Sequence, residues 1–420
     1  MMGKKREENT DKTPKTIIKQ CKVIKAKPIK TSDISVIIQG AIDLKMTTIC
    51  LKSVRQNIPD GEIILSTWKN TDAKVLQELQ ELNEKEKLFN ILLLHDEVNA
   101  VKSKFYHGKG TGFNNNIFKM ILSSREGLKK ATRKYALKMR TDMEMKNLNF
   151  IDYFGKFDDH ETDEKKIVKN RLVISSVYTC KVFDYKDNSF RFSDWFHFGL
   201  REDVLKLWDI PFENDPCYTG KKARKTTTKE LENMLIPADS FHEEQYLWGN
   251  FAKANGIKFE MLDENDFSET TAKLSEEFLI KNAVIVDFAK SGFEMLKIGR
   301  RFYSYGGLYC HYDWLRLYKQ YCNPNIQLPN CFFARCEIAF YSTKNAYARH
   351  AIRICKAVDR CRLALQENKN THYYFEACVA ILLMMLKVIY EVLSVLFYLV
   401  KFAIMYFIFL AVKYYFEFKS

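Results

Sequence analysis

Little in this chain points to an extended or repetitive structure. Its 420 residues include only eight Pro and sixteen Gly, too few for a collagen-like or low-complexity chain, and no period of about 20 to 50 residues signals a solenoid. The eleven Cys run from Cys21 to Cys378 without a CxxC pair, which leaves neither a zinc ribbon nor a thioredoxin-type site. Their odd number favours a reducing compartment. No GxGxxG and no GxxxxGK[ST] stands at a strand-to-helix junction, so the Rossmann dinucleotide and P-loop classes lose their main support. GxSxG and HExxH are missing too, and with them the hydrolase and zinc-protease classes. No apolar stretch follows the basic start, so a secretory signal is not expected.

What the chain does have is material for a large core: 47% hydrophobic residues, with 31 Phe and 22 Tyr, against 28% charged. That balance rules out wholesale disorder, and the length suits two or three domains. Lys and Arg outnumber Asp and Glu by 66 to 52, a formal charge of +14. Ten basic and three acidic residues fall within Met1–Lys30, which reads as a solvated cytosolic tail. No RNA or DNA motif accompanies the charge, and no nucleic-acid partner is expected.

Ordered sequence begins at Ile34, where ISVIIQG (Ile34 to Gly40) is a β-branched apolar run ending in Gly, a buried strand. A helix over Met46–Gln56, a strand over Glu62–Ser66, a helix over Asp72–Lys87 and a strand over Phe89–Leu94 follow. After a polar loop (His107 to Asn116) come a helix to about Lys130 and the strand Tyr135–Arg140. Strands alternating with helices predict a parallel sheet. Beyond it the rhythm becomes mixed, with strands at Leu172–Val177 and Trp195–Gly199 and helices at Glu202–Trp208 and Glu243–Ala254. Pro216 to Glu230, rich in Lys, Arg and Thr, reads as an exposed loop or lid.

A parallel sheet binds ligands at the carboxyl ends of its strands. Gln39 and Gly40 end the first strand, Ser66 and Thr67 the second, and Asp142 and Glu144 follow the fourth beside Arg140. An Asp-x-Glu pair there can reach a hard divalent cation, Mn or Mg, whose other ligands are diphosphate oxygens. Asn115 and Asn116, opening a helix, can offer backbone N–H groups to phosphate, or serve as plain caps. Three later acids are candidates for a general base: Asp194 in SDWFHFG, and Glu243 and Glu244 in HEEQYLW. Each also has an ordinary reading, Asp194 as a turn residue and the two glutamates as first-turn acids of a helix.

Five runs, in order, resemble the WavE-type lipopolysaccharide synthesis family of glycosyltransferases: SVIIQGAI, TTICLKSVRQNIPDGEIILSTW, NNNIFKMILSSREGLKKATRKYALKMRTD, SDWFHFGLREDVLKLWDIP and EEQYLWGNF. The resemblance covers about Ile34 to Tyr303. It implies an α/β fold built on a glycosyltransferase-A-like Rossmannoid sheet, with a nucleotide sugar as donor. Asp142 stands in the family's Arg-Ser-Asp motif, here Arg140-Thr141-Asp142. The family's Gln-Gly-Pro is Gln39-Gly40-Ala41 here, and its Pro-Glu-Gln-Tyr is Glu243-Glu244-Gln245-Tyr246, so Glu244 aligns with its Glu.

The last hundred residues lie outside the resemblance and form a helical, partly apolar extension. Ala346 to Leu365 reads as a basic amphipathic helix. Val392 to Val412 is 21 residues with one charge, Lys401, about long enough to span a bilayer. A mid-span Lys costs about 2.5–3.5 kcal/mol on insertion, which the surrounding Phe, Leu, Ile and Val can offset. A spanning helix, an interfacial helix or hairpin, and a buried helix of an oligomer all fit the pattern, and contact with membrane lipids is favoured. The expected organisation is a tail (1–32), a catalytic domain (33–307) and a membrane-associating region (308–420). The expected function is transfer of a sugar to a glycan or glycolipid acceptor at a membrane, with the catalytic domain in the cytosol. A nucleotidyltransferase and a catalytically silent scaffold are the alternatives.

Overall fold

The computed structural model of the protein describes residues 28–102, 114–157, 163–182, 188–211, 236, 241–261, 268–297, 307–329 and 374–419. The N-terminal tail before 28, most of the loop at 107–116, the expected lid at 216–230 and the basic helix at 346–365 lie outside these residues. The body is mixed α/β, with a mostly parallel sheet of seven strands. The strands are β1 (Ile34–Gln39), β2 (Glu62–Trp68), β3 (Ile91–His95), β6 (Tyr135–Arg140), β8 (Leu172–Ser175), β9 (His197–Leu200) and β10 (Ala283–Val286). Two short antiparallel pairs flank it, β4 (Val101–Lys102) with β5 (Asn114–Asn115), and β7 (Met143–Met145) with β11 (Phe293–Met295).

The sheet order is β10-β8-β9-β6-β1-β2-β3. Only β9 runs antiparallel to its neighbours, β6 and β8. From β1 the chain builds outward to β2 and β3, then returns to place β6 on the other side of β1, so the order reverses between β1 and β6. All six residues of β1 and all seven of β2 are buried, as strands covered on both faces must be.

The covering helices follow from their patterns. In α1 (Leu44–Asn57), Thr47, Cys50, Leu51 and Val54 form one buried stripe, and the Asp43 side chain caps the helix by accepting from Met46 N at 2.9 Å. Asp72 caps α2 (Ala73–Glu86) in the same way. The helix α3 (Ile117–Lys130) buries Ile117, Phe118, Ile121 and Leu128. Its Gly127 allows close approach to β1, because a Cβ there would lie 2.5 Å from Ile37 Cγ2. Further along are α4 (Arg201–Trp208), α5 (Glu243–Ala254), α6 (Glu269–Asn282) and α7 (His311–Tyr321).

The structure adds elements that the sequence pattern did not reveal: β7, β10, β11, α6 and α7. Trp314 of α7 is fully buried and donates from its indole to Ala283 O of β10 at 2.8 Å. The packed body therefore continues past the boundary placed at 307. The last described element is α8 (Tyr374–Lys419), 46 residues long. Its stretch Val388–Tyr415 is long and apolar enough to cross a membrane, and it leaves large apolar side chains such as Phe397 and Phe407 exposed.

Gly127→Ala is expected to destabilise the fold by about 1–3 kcal/mol through overpacking against Ile37, despite alanine's better helix propensity of roughly 1 kcal/mol. Denaturant unfolding of the purified protein checks this; a stabilised variant would show that the α3–β1 contact has room to spare.

Candidate active site

Where the strand order reverses, the ends of β1 and β6 are tied together. Gly40 takes a φ of +133°, a conformation open to glycine, and a Cβ on it would meet Thr141 Oγ1 at 2.9 Å. Thr141 N donates to Gln39 O at 3.1 Å, and Thr141 Oγ1 donates to Ala41 O at 2.8 Å. A serine hydroxyl at this position could make the second bond as well.

A cleft of about 890 Å³ opens over this junction. It is lined by Gln39, Gly40, Asp43, Thr47, Trp68, Asn70, Thr71 and Asp72, and by Arg140, Asp142, Tyr178, Arg191, Asp194, His242, Glu243, Glu244 and Lys297. Thr47 Oγ1 is buried without a hydrogen-bond partner. Asn116 and Lys119 of α3 also face the cleft, and Lys119 pairs with Glu97.

Arg140 holds Asp142 in a two-pronged grip, Nε to Oδ1 at 2.8 Å and Nη2 to Oδ2 at 2.9 Å. Burial alone would raise the Asp142 pKa, but the Arg140 fork and Lys297 outweigh it and hold the carboxylate below its usual range. Burial likewise opposes the charge on Arg140, and its bonds to Asp142, with Asp194 nearby, more than restore it. Lys297 arrives by way of β11, since Leu296 N donates to Asp142 O at 2.9 Å.

Asp194 is placed from beneath. Lys138 of β6 is fully buried, packs over the Trp208 ring and donates to Asp194 O at 2.6 Å. Burial lowers the Lys138 pKa to about 7, partly opposed by Asp194. The preceding carbonyl, Ser193 O, accepts from the Trp248 indole at 3.3 Å and from the His197 ring at 3.0 Å. Trp208 donates to His197 Nδ1 at 3.2 Å, so Nε2 carries the proton of a neutral ring. Asp194 is thus fixed by its backbone, and among the described residues no hydrogen bond reaches its carboxylate.

The opposite wall is the start of α5. His242, Glu243 and Glu244 each offer a ligand atom, all within 4.8 Å of one another. Arg191 Nε lies 3.8 Å from Glu244 Oε2. Burial pushes Glu244 up to about 8, opposed by Arg191 and reinforced by Asp194 and Glu243. Burial raises Glu243 as well, with Asp194 adding to it. His242 is lowered to about 4 by burial and by Arg191, so its ring is neutral at pH 7. A nitrogen and two carboxylates in excess of their cationic partner make a donor set that suits a divalent transition-metal ion.

Of the residues singled out in the sequence, the cleft brings together Gln39, Gly40, Asn116, Arg140, Asp142, Asp194, Glu243 and Glu244. Ser66 lies in the core, bonded to His95 Nε2 and to Ser123 O, both at 2.7 Å, and Thr67 is buried beside it. The strand runs two residues farther than its pattern suggested, so Trp68 reaches the cleft in their place. Asn115 pairs through its backbone with Val101. Glu144 turns to Lys146 and does not line the cleft. The Asp142–Glu144 pair therefore does not converge on one point, and both Asp142 oxygens are occupied by Arg140. Tyr178, Arg191, His242 and Lys297 are additions; only His242, beside the two glutamates, had a signal in the sequence.

A carboxyl whose folded pKa exceeds its unfolded value stabilises most below the unfolded value, and that contribution is lost as pH rises through the folded one. With chelator present, Glu244→Gln should therefore match the wild-type melting temperature near pH 4 and exceed it at pH 9. A constant offset across that range would contradict the burial of this acid.

The sequence was also compared with known proteins. No curated protein matches the chain. Among solved structures, a mannosyltransferase from Pyrobaculum calidifontis in complex with GDP-Man and Mn2+ is similar at 10% identity, over 86% of this chain and 87% of that one, with a TM-score of 0.30. At that score the likeness bears on neither the site nor its chemistry. Residues 34–345 match the family described as WavE lipopolysaccharide synthesis, a span that takes in the whole sheet and every cleft residue, and the chain belongs to that family.

Proposed function

We propose that the protein is a membrane-associated glycosyltransferase that moves a sugar from a nucleotide sugar to a glycan or glycolipid acceptor. The observation that carries this is the cleft at the reversal of strand order, which gathers the cations Arg140, Lys119 and Lys297 and, beside Tyr178 and Trp195, the carboxylate of Asp194. Family membership supports the same reaction class.

In this reading the nucleoside lies toward Gln39, Gly40, Thr47 and Trp68, and the diphosphate faces Arg140, Lys119 and Lys297. Asp194 accepts the proton of the acceptor hydroxyl as that oxygen bonds to the anomeric carbon. The bond from that carbon to the diphosphate oxygen breaks, and the nucleoside diphosphate leaves with the electron pair. A divalent cation, for which His242, Glu243 and Glu244 are the fitting ligands, supplies further neutralisation of the leaving diphosphate when bound. Binding of such an ion would displace the proton that burial favours on Glu244, and would strengthen as pH rises.

The C-terminal helix supports the membrane part. At about 1.5 Å per residue the 28 residues Val388–Tyr415, apolar but for a few such as Glu391, Lys401 and Lys413, extend about 42 Å, more than the hydrocarbon core of about 30 Å. Among the described residues, Cys50 and Cys310 are thiols outside any disulfide, in keeping with a catalytic domain in the cytosol.

Saturation-transfer NMR with a panel of nucleotide sugars, with and without Mn2+, tests the donor site. One donor should bind, with affinity reduced about 10- to 100-fold in Arg140→Met for a lost charge-assisted bond of about 1.5–3 kcal/mol, and with its metal dependence abolished in Glu243→Gln. No binding by a folded protein would favour a silent scaffold. Fractionation tests the anchor: deletion of residues 374–419 should move the protein from membrane to soluble fractions, and retention at the membrane would remove α8 from that role.

A further inference from the structure

Tyr178 occupies a backbone conformation that a bulky side chain rarely adopts. Its φ is +61°, in the left-handed region where Cβ crowds the following carbonyl. It sits at the third position of a four-residue turn, closed by Thr179 N donating to Ser176 O at 3.2 Å, where a positive φ favours glycine. The turn is held from every side. Thr179 Oγ1 donates to Ser175 O at 2.6 Å and accepts from Ser193 N at 3.1 Å. Ser175 Oγ accepts from Val177 N, and Ser176 Oγ accepts from Phe288 N, both at 3.0 Å. Tyr309 N donates to Thr179 O at 2.8 Å.

Strain of this kind persists only where the surroundings over-determine it, and it gathers at ligand sites. The surroundings here qualify, and the strained residue lines the cleft. Tyr178 is half-buried, and its ring meets Trp195 edge-on with centroids 5.6 Å apart. Trp195 in turn rests on Phe288 at 5.2 Å. Trp195 follows Asp194 directly, and Arg140 is near enough for the Tyr178 phenol to act on its charge.

We infer that Tyr178, backed by Trp195, is the acceptor platform of the cleft, and that it takes the apolar C–H face of a pyranose ring beside Asp194. A rigid aromatic ring with a polar tip offers both a stacking surface and a hydrogen bond at low entropic cost. The acceptor group is therefore a sugar, not a lipid phosphate or a protein side chain. This inference rests on the glycosyltransferase reading of the same cleft. It makes Tyr178 a specificity residue whose conformation is maintained for the ligand and not for the fold.

Two measurements on the full chain test it: saturation-transfer NMR with a panel of methyl hexopyranosides, run beside the nucleotide-sugar panel, and thermal unfolding. Wild type and Tyr178→Phe should both show saturation of ring C–H protons for at least one glycoside. Tyr178→Gly should lose at least five-fold of that signal, keep donor binding, and melt at the same temperature as wild type or higher, because glycine relieves the left-handed strain. A glycoside signal unchanged in Tyr178→Gly, or a wild type that binds donor and no glycoside, would overturn the platform while leaving the transferase reading intact. A lowered melting temperature in Tyr178→Gly would make the residue structural and also overturn it. If neither donor nor glycoside binds the folded wild type, both readings fall together.

Discussion

The site depends on two basic side chains at the end of a central strand, Lys138 wholly buried and Arg140 partly so. Lys138 and Arg140 lie on the same face of β6, and no other strand of the sheet carries a Lys or Arg. Burying a charge is costly unless it is paired and hydrogen-bonded, and the fold meets that cost with specific partners. Arg140 takes both oxygens of Asp142, and Lys138 takes the carbonyl of Asp194 and the face of Trp208. The partners of these cations are the residues that line the cleft, so the constraint that stabilises the strand also positions the chemistry.

From that strand the cleft is built outward. The antiparallel strand β9 and the buried Trp208, Trp248 and His197 hold the Ser193–Asp194 backbone from below. The β7–β11 pair carries Lys297 to Asp142, and α5 brings His242, Glu243 and Glu244 to the far wall. The consequence is a separation of roles. Asp142 is held ionised by Arg140 and Lys297, whereas burial, reinforced by Asp194 and Glu243, pushes Glu244 up to about 8. Groups pushed in opposite directions within one cleft are a mark of a functional site.

The first half of the sheet is legible in the sequence because β1, β2 and β6 are short apolar runs between helices with clear caps, at Asp43 and Asp72. Gln39, Gly40, Arg140, Asp142, Asp194 and Glu244 follow from strand ends and from the family's motifs. Ser66 and Thr67 were misplaced because their hydroxyls read as the polar end of the strand, whereas the strand continues to Trp68 and turns Ser66 into the core. Glu144 looks equivalent to Asp142 as a string of letters, yet β7 pairs with β11 and turns it toward Lys146. Lys297 and Tyr178 carry no sequence signal, since one is delivered by a distant strand and the other is distinguished only by its backbone angle. The helix α7 escaped because its Tyr content, between Cys310 and Cys322, resembles the extension that follows, and its ties to β10, through Trp314 to Ala283 O and His311 to Ile285 O, are visible only in the fold.

The central claim is that Asp194 acts as the base for sugar transfer in a cleft that binds a nucleotide sugar. The most direct measurement is 31P NMR of the full-length protein in lipid bilayers with its donor and a glycolipid extract, comparing wild type with Asp194→Asn. The account predicts acceptor-stimulated release of nucleoside diphosphate by wild type, reduced about 10²- to 10⁴-fold in the variant with donor binding retained. Release of pyrophosphate, or an Asp194→Asn protein as active as wild type, would contradict it.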